Sequence, residues 1–345
     1  MADKAVTIRE LAQAAQVSIG TVSRALKGQA GLSEQTRASV LRVAQELGYN
    51  LDKLRTGKPR RILFLYNRRI DSLTTNPFYS VVLHGAESAC REEGVSLSLL
   101  SVAAGDDIAA QVRRHEPDGL IGMGYFEPET MAALQSCELP LVLTDHFRPG
   151  LRCINDDNLE GALQATRHLL DGGARRPAMI IGPVLHHSVA LRVKGFRRAL
   201  FEAGLLADPE LEVTLDDSLP YDEAGREAMQ RLLALPQPPD AVFAYNDETA
   251  LHAMTVCHEA GLRIPQDLRL IGYDDIAAAA RSKPPLSTVR VDKEALGRLV
   301  VTALVEGTVG GGDTLLPVEL IVRESSRAVA AEAARPPRTA QGRAM

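Results

Sequence analysis

The sequence contains no tryptophan, and aromatic residues make up only 4% of its 345 residues. It also lacks any apolar run of the roughly 18 residues that a membrane-spanning helix needs. Its first ten residues, MADKAVTIRE, have no apolar stretch behind their charged groups, so we expect no secretory signal. We therefore predict a protein that has no membrane contact and works in the cytoplasm.

Residue patterns that carry catalytic or metal chemistry are also missing. The four cysteines, at positions 90, 137, 153 and 257, form no CxxC pair and no metal-ligand spacing, which favours reduced core thiols. There is no Walker loop, no GxSxG, no HExxH and no GxGxxG followed by a ribose-binding acid. The glycine cluster GMG at 122–124 is too weak to indicate a cofactor site. We predict a non-enzyme with neither metal nor cofactor.

Length and charge indicate a divided molecule. A chain of 345 residues that is 45% apolar is long enough for two or three domains with real cores. Residues 1–61 contain eleven Lys or Arg against five Asp or Glu, a net charge of +6, whereas the rest carries −11. A small basic head on a large acidic body favours contact of the head alone with a polyanion, although ordinary variation of surface charge gives such an asymmetry too.

The basic head reads as three short helices. Thr7 and Glu10 form a capping box for a helix over 8–15, Ser18 caps a helix over 19–26, and Ser33 caps a third helix that ends at Gly48. The apolar positions fall on one face of each helix at helical spacing. For the third helix, these predicted core positions are Val40, Val43, Ala44 and Leu47.

This arrangement is typical of a helix-turn-helix, in which the second helix enters the major groove of DNA. Arginine can pair with guanine O6 and N7, and Thr or Ile methyl groups can contact a thymine methyl. A plain helical packing module is the alternative that three short helices alone leave open. The polar and small residues expected on the exposed face of the second helix are Ile19, Gly20, Thr21, Ser23 and Arg24.

From residue 61 onward, strands and helices alternate. Apolar strands near 61–66, 95–102, 119–124 and 139–145 are separated by helical segments, and a second such series runs from 158 to 275. Strand–helix–strand repeats of this kind predict two parallel, doubly wound sheets.

Several segments of the head and of the body resemble a known protein family. The runs VTIRELAQAAQVSIGTVSRALKG (6–28) and LSEQTRASVLRVAQELGY (32–49) resemble the DNA-binding head of the LacI/GalR family of bacterial repressors. The resemblance continues to about residue 327 through segments such as DGLIGMG, ALRVKGFRRAL, DAVFAYNDETALHAM and GLRIPQDLRLIGYDDI. It implies an α/β chain with an N-terminal three-helix, lambda-repressor-like helix-turn-helix, followed by a two-lobed, periplasmic-binding-protein-like effector domain.

The resemblance also implies domain boundaries. The head would span 1–49, a shortened hinge 50–60, and the effector-binding and dimerisation domain 61–327. Within that domain the N-lobe would comprise about 61–156 and 288–314, and the C-lobe about 157–287 and 315–327. The tail, 328–345, contains no Leu, Ile or Phe, so it cannot form the leucine-rich tetramer helix that some relatives carry. We therefore expect a dimer with a disordered tail.

For DNA contact, the resemblance makes 18–24 the recognition helix, with Ile19, Gly20 and Arg24 as base readers. It assigns phosphate and groove contacts to Thr7, Ser18, Thr21, Ser23 and Arg24. The family usually has glycine where this chain has Gln16. If the left-handed backbone of that turn is kept, Gln16 costs about 1 kcal/mol.

The hinge departs most from the family. Relatives have a PNxxARxLRTG hinge that folds into a short helix on DNA, whereas this chain reads GYNLDKLRTGKPRRI and lacks about one helical turn. Leu54 remains the candidate minor-groove wedge, and Arg55 the candidate phosphate contact. Two interpretations stay open: a shortened helix that folds on operator DNA, or an extended strap that bends DNA weakly.

Ligands of doubly wound sheets lie outside the carboxyl ends of the strands, and the fold implied by the resemblance places them between the lobes. The polar and aromatic residues there suit a ligand rich in hydroxyl groups, since carboxylates accept, arginine donates, and aromatic rings cover a sugar face. A helix N-cap is the alternative role for Asp274. The predicted effector residues are Asn76, Phe78, Asp145, Ser188, Arg192, Tyr221, Asn246 and Asp274.

The resemblance therefore predicts a sequence-specific repressor, dimeric on a near-palindromic operator, whose DNA affinity is controlled by a small effector, most simply a sugar or sugar derivative. Two alternatives remain at this stage. One is a regulator that takes a nucleobase or other metabolite as corepressor, and the other is a solute-binding protein without DNA contact. The sequence does not decide between release by an inducer and activation by a corepressor.

Overall fold

The computed structural model describes residues 7–26, 32–47, 58–68 and 77–328. Leu54, Arg55 and Asn76, most of the predicted hinge and nearly all of the predicted tail lie outside the described residues. In chain order, the helices are α1 Ile8–Ala14, α2 Ile19–Leu26, α3 Glu34–Glu46, α4 Pro77–Glu92, α5 Ile108–His115, α6 Pro128–Ser136, α7 Asn158–Asp171, α8 His187–Glu202, α9 Tyr221–Leu233, α10 Asp247–Glu259, α11 Ala277–Arg281 and α12 Lys293–Val305.

The strands are β1 Arg61–Asn67, β2 Ser96–Val102, β3 Gly119–Met123, β4 Leu141–Thr144, β5 Arg152–Asp156, β6 Pro177–Ile181, β7 Glu212–Thr214, β8 Ala241–Ala244, β9 Arg269–Ile271, β10 Thr288–Arg290, β11 Gly312–Leu316 and β12 Glu319–Ile321. Sequence analysis did not identify β5 or the elements after β9. In β5 only Cys153 and Ile154 are apolar, so its sequence carries no alternating or continuous apolar pattern.

The three predicted head helices are confirmed, together with their caps. The Thr7 hydroxyl accepts from the Glu10 N–H at 3.3 Å, and the Thr7 N–H donates to the Glu10 carboxylate at 2.7 Å, which completes the capping box. Ser18 accepts from the Thr21 N–H at 3.0 Å, and Ser33 caps α3 in the same way. These bonds satisfy N–H groups that a helix start otherwise leaves unpaired.

The head has its own small apolar core. Leu11, Val22 and Val40, one from each helix, are fully buried together with Ala44. The prediction that Leu47 is buried is wrong, since this residue is 41% exposed. It lies at the C-cap of α3, one position past the last helical residue, where the buried stripe of the helix has ended.

Gln16 has a φ of +54°, so the left-handed turn expected between α1 and α2 is present in a non-glycine residue. We expect Gln16→Gly to raise the free energy of unfolding by about 0.5–1 kcal/mol, because glycine adopts this conformation without a Cβ clash. Chemical denaturation followed by circular dichroism would measure the change. Gln16→Ala keeps the Cβ and is the control, and an equal gain from alanine would contradict the backbone argument.

The rest of the chain folds into two units, each with its own parallel sheet. The first unit combines the described residues up to 68 with Leu83–Ile154 and Gly297–Thr314, and the second contains Asn155–Leu296 and the described residues from Leu315 on, with Pro77–Val82. In the first sheet the strand order is β11-β5-β4-β3-β1-β2, and the second has the order β7-β6-β8-β9. The pairings from β1 to β5 and from β6 to β9 are parallel, as predicted.

Both sheets reverse their winding direction next to their first strand. In the second sheet β6 lies between β7 and β8, so the chain winds outward in both directions from it. The gap at the carboxyl ends of β6 and β8 is then a topological switch point, the usual ligand position in doubly wound folds. Ile180, Val242 and Leu270 in the core hold these strands in place.

Candidate functional site

The first candidate surface is the exposed side of α2. Val22 and Ala25 point into the head core, and Ile19, Gly20 and Arg24 are exposed on the other side. Ile19 is 47% exposed, so much of its side chain is accessible on this side of the helix. The Arg24 Nε donates to the Gly20 carbonyl at 3.4 Å, so the guanidinium lies along the exposed face.

The other predicted head residues lie near the same helix start. Ser18 and Thr21 are joined by a 2.8 Å hydroxyl–hydroxyl bond, and Ser23 is half-buried on α2. Thr7 is exposed at the start of α1. A helix N-terminus with hydroxyl groups and no acidic residue in its first turn can face a phosphate.

The second candidate site surrounds Arg192, at the switch point of the second sheet. Arg192 lies on α8 and is only 5% exposed. Its Nε donates to Asn158 Oδ1 at 2.8 Å, its Nη1 to the Tyr245 carbonyl at 2.6 Å, and its Nη2 approaches Asp274 Oδ1 at 3.5 Å. The guanidinium therefore joins the starts of α7 and α8 to the ends of β8 and β9.

An aromatic ring fixes the plane of this guanidinium. The Arg192 Cζ lies 3.6 Å from the centre of the Tyr273 ring, a cation–π contact in a buried environment. The Tyr273 hydroxyl donates to Asp156 Oδ2 at 3.1 Å, and burial raises the pKa of this phenol well above its ordinary value. Tyr273 therefore stays protonated and acts as a rigid platform for Arg192.

Asp274 has an unusual backbone conformation. Its φ is +106°, and that of Asp275 is +51°, both in a region that non-glycine residues rarely adopt. The N-cap interpretation of Asp274 is wrong, since α11 begins at Ala277 and its N-cap is Ile276. The carboxylate instead faces Arg192, with 7% of its side chain exposed.

Asn246 and Tyr221 belong to a hydrogen-bonded group beside Arg192. Asn246 Oδ1 accepts from the Thr249 N–H at 3.0 Å and so caps α10, while Asn246 Nδ2 donates to the Tyr221 hydroxyl at 2.7 Å. The Tyr245 hydroxyl donates to the same Tyr221 oxygen at 3.1 Å. Burial raises the pKa of Tyr221.

The remaining predicted effector residues are placed as follows. Ser188 is buried in the first turn of α8, on the helix that carries Arg192. Phe78 is buried near the start of α4, with its ring edge-on to Tyr79 at 5.5 Å. Asp145 follows β4 in the first unit, half-buried and with a φ of +52°. Asn158, which binds Arg192, and Asp156, which binds Tyr273, were not among the predicted site residues.

Burial changes the acidity of two of the cysteines. Burial raises the pKa of Cys90 to about 11 and that of Cys257 to about 12, so neither is a ready nucleophile at neutral pH. No group of three or more His, Cys, Asp or Glu side chains that could hold a metal ion occurs in the described part of the chain. Among those residues, no helix combines the length and apolarity required for a membrane span.

Comparison with known proteins gives matches over both parts of the chain. Residues 7–51 match the family described as bacterial regulatory proteins, lacI family, and residues 166–326 match a periplasmic binding protein-like domain. The HTH-type transcriptional repressor CytR of Escherichia coli K12 is 32% identical over 343 residues, which cover 95% of this chain and 98% of CytR.

Two solved structures resemble almost the whole chain. A complex of the transcriptional regulator CelR with cellobiose has a TM-score of 0.71 and 29% identity, and the match covers 93% of this chain and 99% of that one. A lac repressor dimer bound to operator and the anti-inducer ONPF has a TM-score of 0.69 and 25% identity, with coverage of 94% and 100%.

Proposed function

Since this chain belongs to the lacI family of bacterial regulatory proteins, we propose that it is a repressor whose binding to operator DNA is controlled by a small, hydroxyl-rich effector. The observation that carries the effector part is the buried Arg192, held by Asn158, Tyr245 and Asp274 at the switch point of the second sheet. A buried, fully oriented guanidinium beside a carboxylate is a costly arrangement, and ligand recognition is a reason to keep it.

The DNA-binding part rests on the head. Its second helix exposes one arginine, one isoleucine and a glycine, and its own start is capped by serine. Arg24 can bind guanine in the major groove, while Ile19 can contact a thymine methyl and Gly20 allows close approach to a base. The hydroxyls of Thr7, Ser18, Thr21 and Ser23 suit phosphate contacts that position the helix.

The effector part rests on complementary hydrogen bonding. A carboxylate has about four acceptor positions, so Asp274 can pair with Arg192 and still accept from ligand hydroxyls. Arginine next to aspartate provides donors and acceptors within one small area, which matches vicinal hydroxyl groups of a sugar. The structural relative CelR was solved with cellobiose, which supports this class. Phe78 and Ser188 complete the set within the second unit.

Tyr221 and Asn246 have a second role in this proposal. Their mutual bonds and the α10 cap fix the end of β8, where the Tyr245 carbonyl meets Arg192. They therefore shape the site as well as line it. We include no catalytic step and no cofactor, and we infer a dimer, as in the lac repressor complex with operator, because two heads at a fixed spacing read a near-palindromic site.

A two-step experiment tests the function. The full-length protein is first used to select duplexes from a random library at about 100 mM salt, and the selected site is then titrated with sugars, sugar phosphates and nucleobases. We expect a near-palindromic site bound with a Kd on the order of 10 nM or tighter. One sugar-like compound should change this affinity by about tenfold or more.

Failure of selection under these conditions would remove the DNA-binding proposal. A response to nucleobases alone would replace the sugar class with the nucleobase alternative. A response to no compound, combined with normal operator binding, would remove the effector part only.

A further inference from the structure

Asp247, which directly follows Asn246, contacts the loop that carries Asp274 on both sides of that residue. Its backbone N–H donates to the Tyr273 carbonyl at 2.8 Å, and its side-chain Oδ2 accepts from the Ile276 N–H at 2.8 Å. These two bonds bracket Asp274 and Asp275, the two residues with positive φ. Asp247 itself is fully buried.

The same two bonds set the distance between two partners of Arg192. The Tyr245 carbonyl follows β8, two residues before Asp247, and Asp274 lies in the loop after β9. Arg192 contacts the Tyr245 carbonyl and the Asp274 carboxylate at the same time, so the distance between these two groups must be fixed. Because Asp247 begins α10 at the end of β8 and binds the loop after β9, it fixes one strand end relative to the other.

The packing around Asp247 is built for a carboxyl group of this size. Gly272 lies against Oδ1, and a Cβ at position 272 would collide with that oxygen. Burial and then the nearby Asp274 carboxylate raise the pKa of Asp247 well above its ordinary value. Burial and a neighbouring carboxylate both favour the uncharged form of Asp247, which suits a side chain that acts here as a hydrogen-bond acceptor.

Other anchors hold the rest of the loop. The Asp274 N–H donates to the Val289 carbonyl at 2.8 Å, and the Lys293 ammonium binds the Asp274 and Asp275 carbonyls. Arg323 and Arg290 bind the Asp275 carboxylate at 2.6 and 2.7 Å. A positive φ in two successive non-glycine residues costs free energy, so it is kept only where surrounding contacts of this kind stabilise it. Two further N–H groups of the loop bind side chains from other elements, since Asp275 donates to Thr288 Oγ1 at 3.2 Å and Ile276 donates to Asp247.

We propose that Asp247 is a positioning residue of the effector site, which holds the 272–276 loop so that Asp274 and the Tyr245 carbonyl face Arg192 together. Asp247 makes no ligand contact in this role. The proposal rests on the proposed function in that Asp274 and Arg192 are taken as effector residues.

Hydrogen–deuterium exchange of the full-length protein, measured without any effector, tests the proposal. We expect Asp247→Ala to increase exchange in peptides that cover 272–276 by about tenfold or more, because the Ile276 N–H loses its acceptor and the loop can open locally. Asp247→Asn keeps an acceptor oxygen and the shape of the side chain, so it should behave as the wild type does.

Met254→Ala is the matched control, since Met254 is a buried residue of the same helix that forms neither of the two Asp247 bonds. It should leave exchange at 272–276 unchanged. If Asp247→Ala does not fold, Asp247→Ser replaces it, because the shorter hydroxyl does not reach the Ile276 N–H. Unchanged exchange in the variant without the acceptor overturns the proposal.

An increase in Met254→Ala equal to that in Asp247→Ala also overturns it, because the effect would then follow from general loss of stability. So does an equal increase in Asp247→Asn, since the acceptor would then not be the cause. These measurements need no ligand and no DNA. A failed effector search therefore bears on the proposed function alone, and a failed exchange test bears on Asp247 alone.

Discussion

Arg192→Ala should abolish the response to effector while the protein still binds operator DNA. The substitution removes the donor that Asn158, the Tyr245 carbonyl and Asp274 share, and it leaves a buried carboxylate without its cation. The effector also loses a buried, charged hydrogen-bond donor, and such a loss across a binding interface costs about 2–5 kcal/mol, which corresponds to roughly 30-fold to more than 1000-fold in effector affinity. Isothermal titration with the effector found by screening would measure the loss.

The same helix provides a matched control. Arg197 lies five residues further along α8, and its side chain is 57% exposed while it pairs with Glu212 at 2.5 Å. Because Arg197 pairs with Glu212 rather than with the partners of Arg192, Arg197→Ala should leave effector affinity within a few fold of the wild type. Equal responses of the two variants would mean that the effector binds elsewhere.

Arg192→Lys separates charge from geometry. A lysine ammonium keeps the positive charge beside Asp274 but cannot bind three partners in one plane or stack on Tyr273 as a guanidinium does. We expect it to lose most of the effector affinity as well, which would show that the oriented fork, and not the charge alone, recognises the ligand.

The local features of the head were predictable because their causes lie within a few residues. Thr7 with Glu10, and Ser18 with Thr21, are pairs three residues apart, so the sequence alone shows both partners of each cap. The left-handed turn at Gln16 was expected only from the family resemblance, because relatives usually have glycine at this position. The parallel sheets were also predictable. Each short apolar strand and each helical segment can be recognised within its own stretch of sequence, and their alternation is typical of parallel sheets.

The surroundings of Arg192 were not predictable in the same way. Its partners Asn158, Tyr245 and Asp274 are 34, 53 and 82 residues away, and the Tyr273–Asp156 bond spans 117 residues. Strand-end position together with the family resemblance identified Arg192 and Asp274 as candidates. It could not show that a backbone carbonyl is one of the partners.

The contacts of Asp247 were not predictable from the sequence either. Its position after a strand and at a helix start is typical of a capping aspartate, and Asn246 performs the capping instead. Positive φ at Asp274 and Asp275 has no signature in the sequence, since aspartate also occurs in ordinary turns. The loop's contacts with α10 and with its other anchors are needed to show why these backbone conformations are held.

Arg24→Ala should remove sequence preference from DNA binding without abolishing binding itself. One bidentate arginine–guanine contact is worth about 1–3 kcal/mol of discrimination, so preference for the selected operator over a scrambled duplex should fall roughly 5- to 150-fold. Arg42→Ala is the matched control, since Arg42 is an exposed arginine on α3 whose partner, Glu46, lies at 4.0 Å. Fluorescence anisotropy with both duplexes at several salt concentrations measures sequence preference and salt dependence separately.

If Arg42 contacts a phosphate, its loss lowers the affinity for both duplexes equally and lowers the salt slope by about one, while the preference for the operator stays intact. Retained preference in Arg24→Ala would show that the exposed face of α2 does not read bases through this residue.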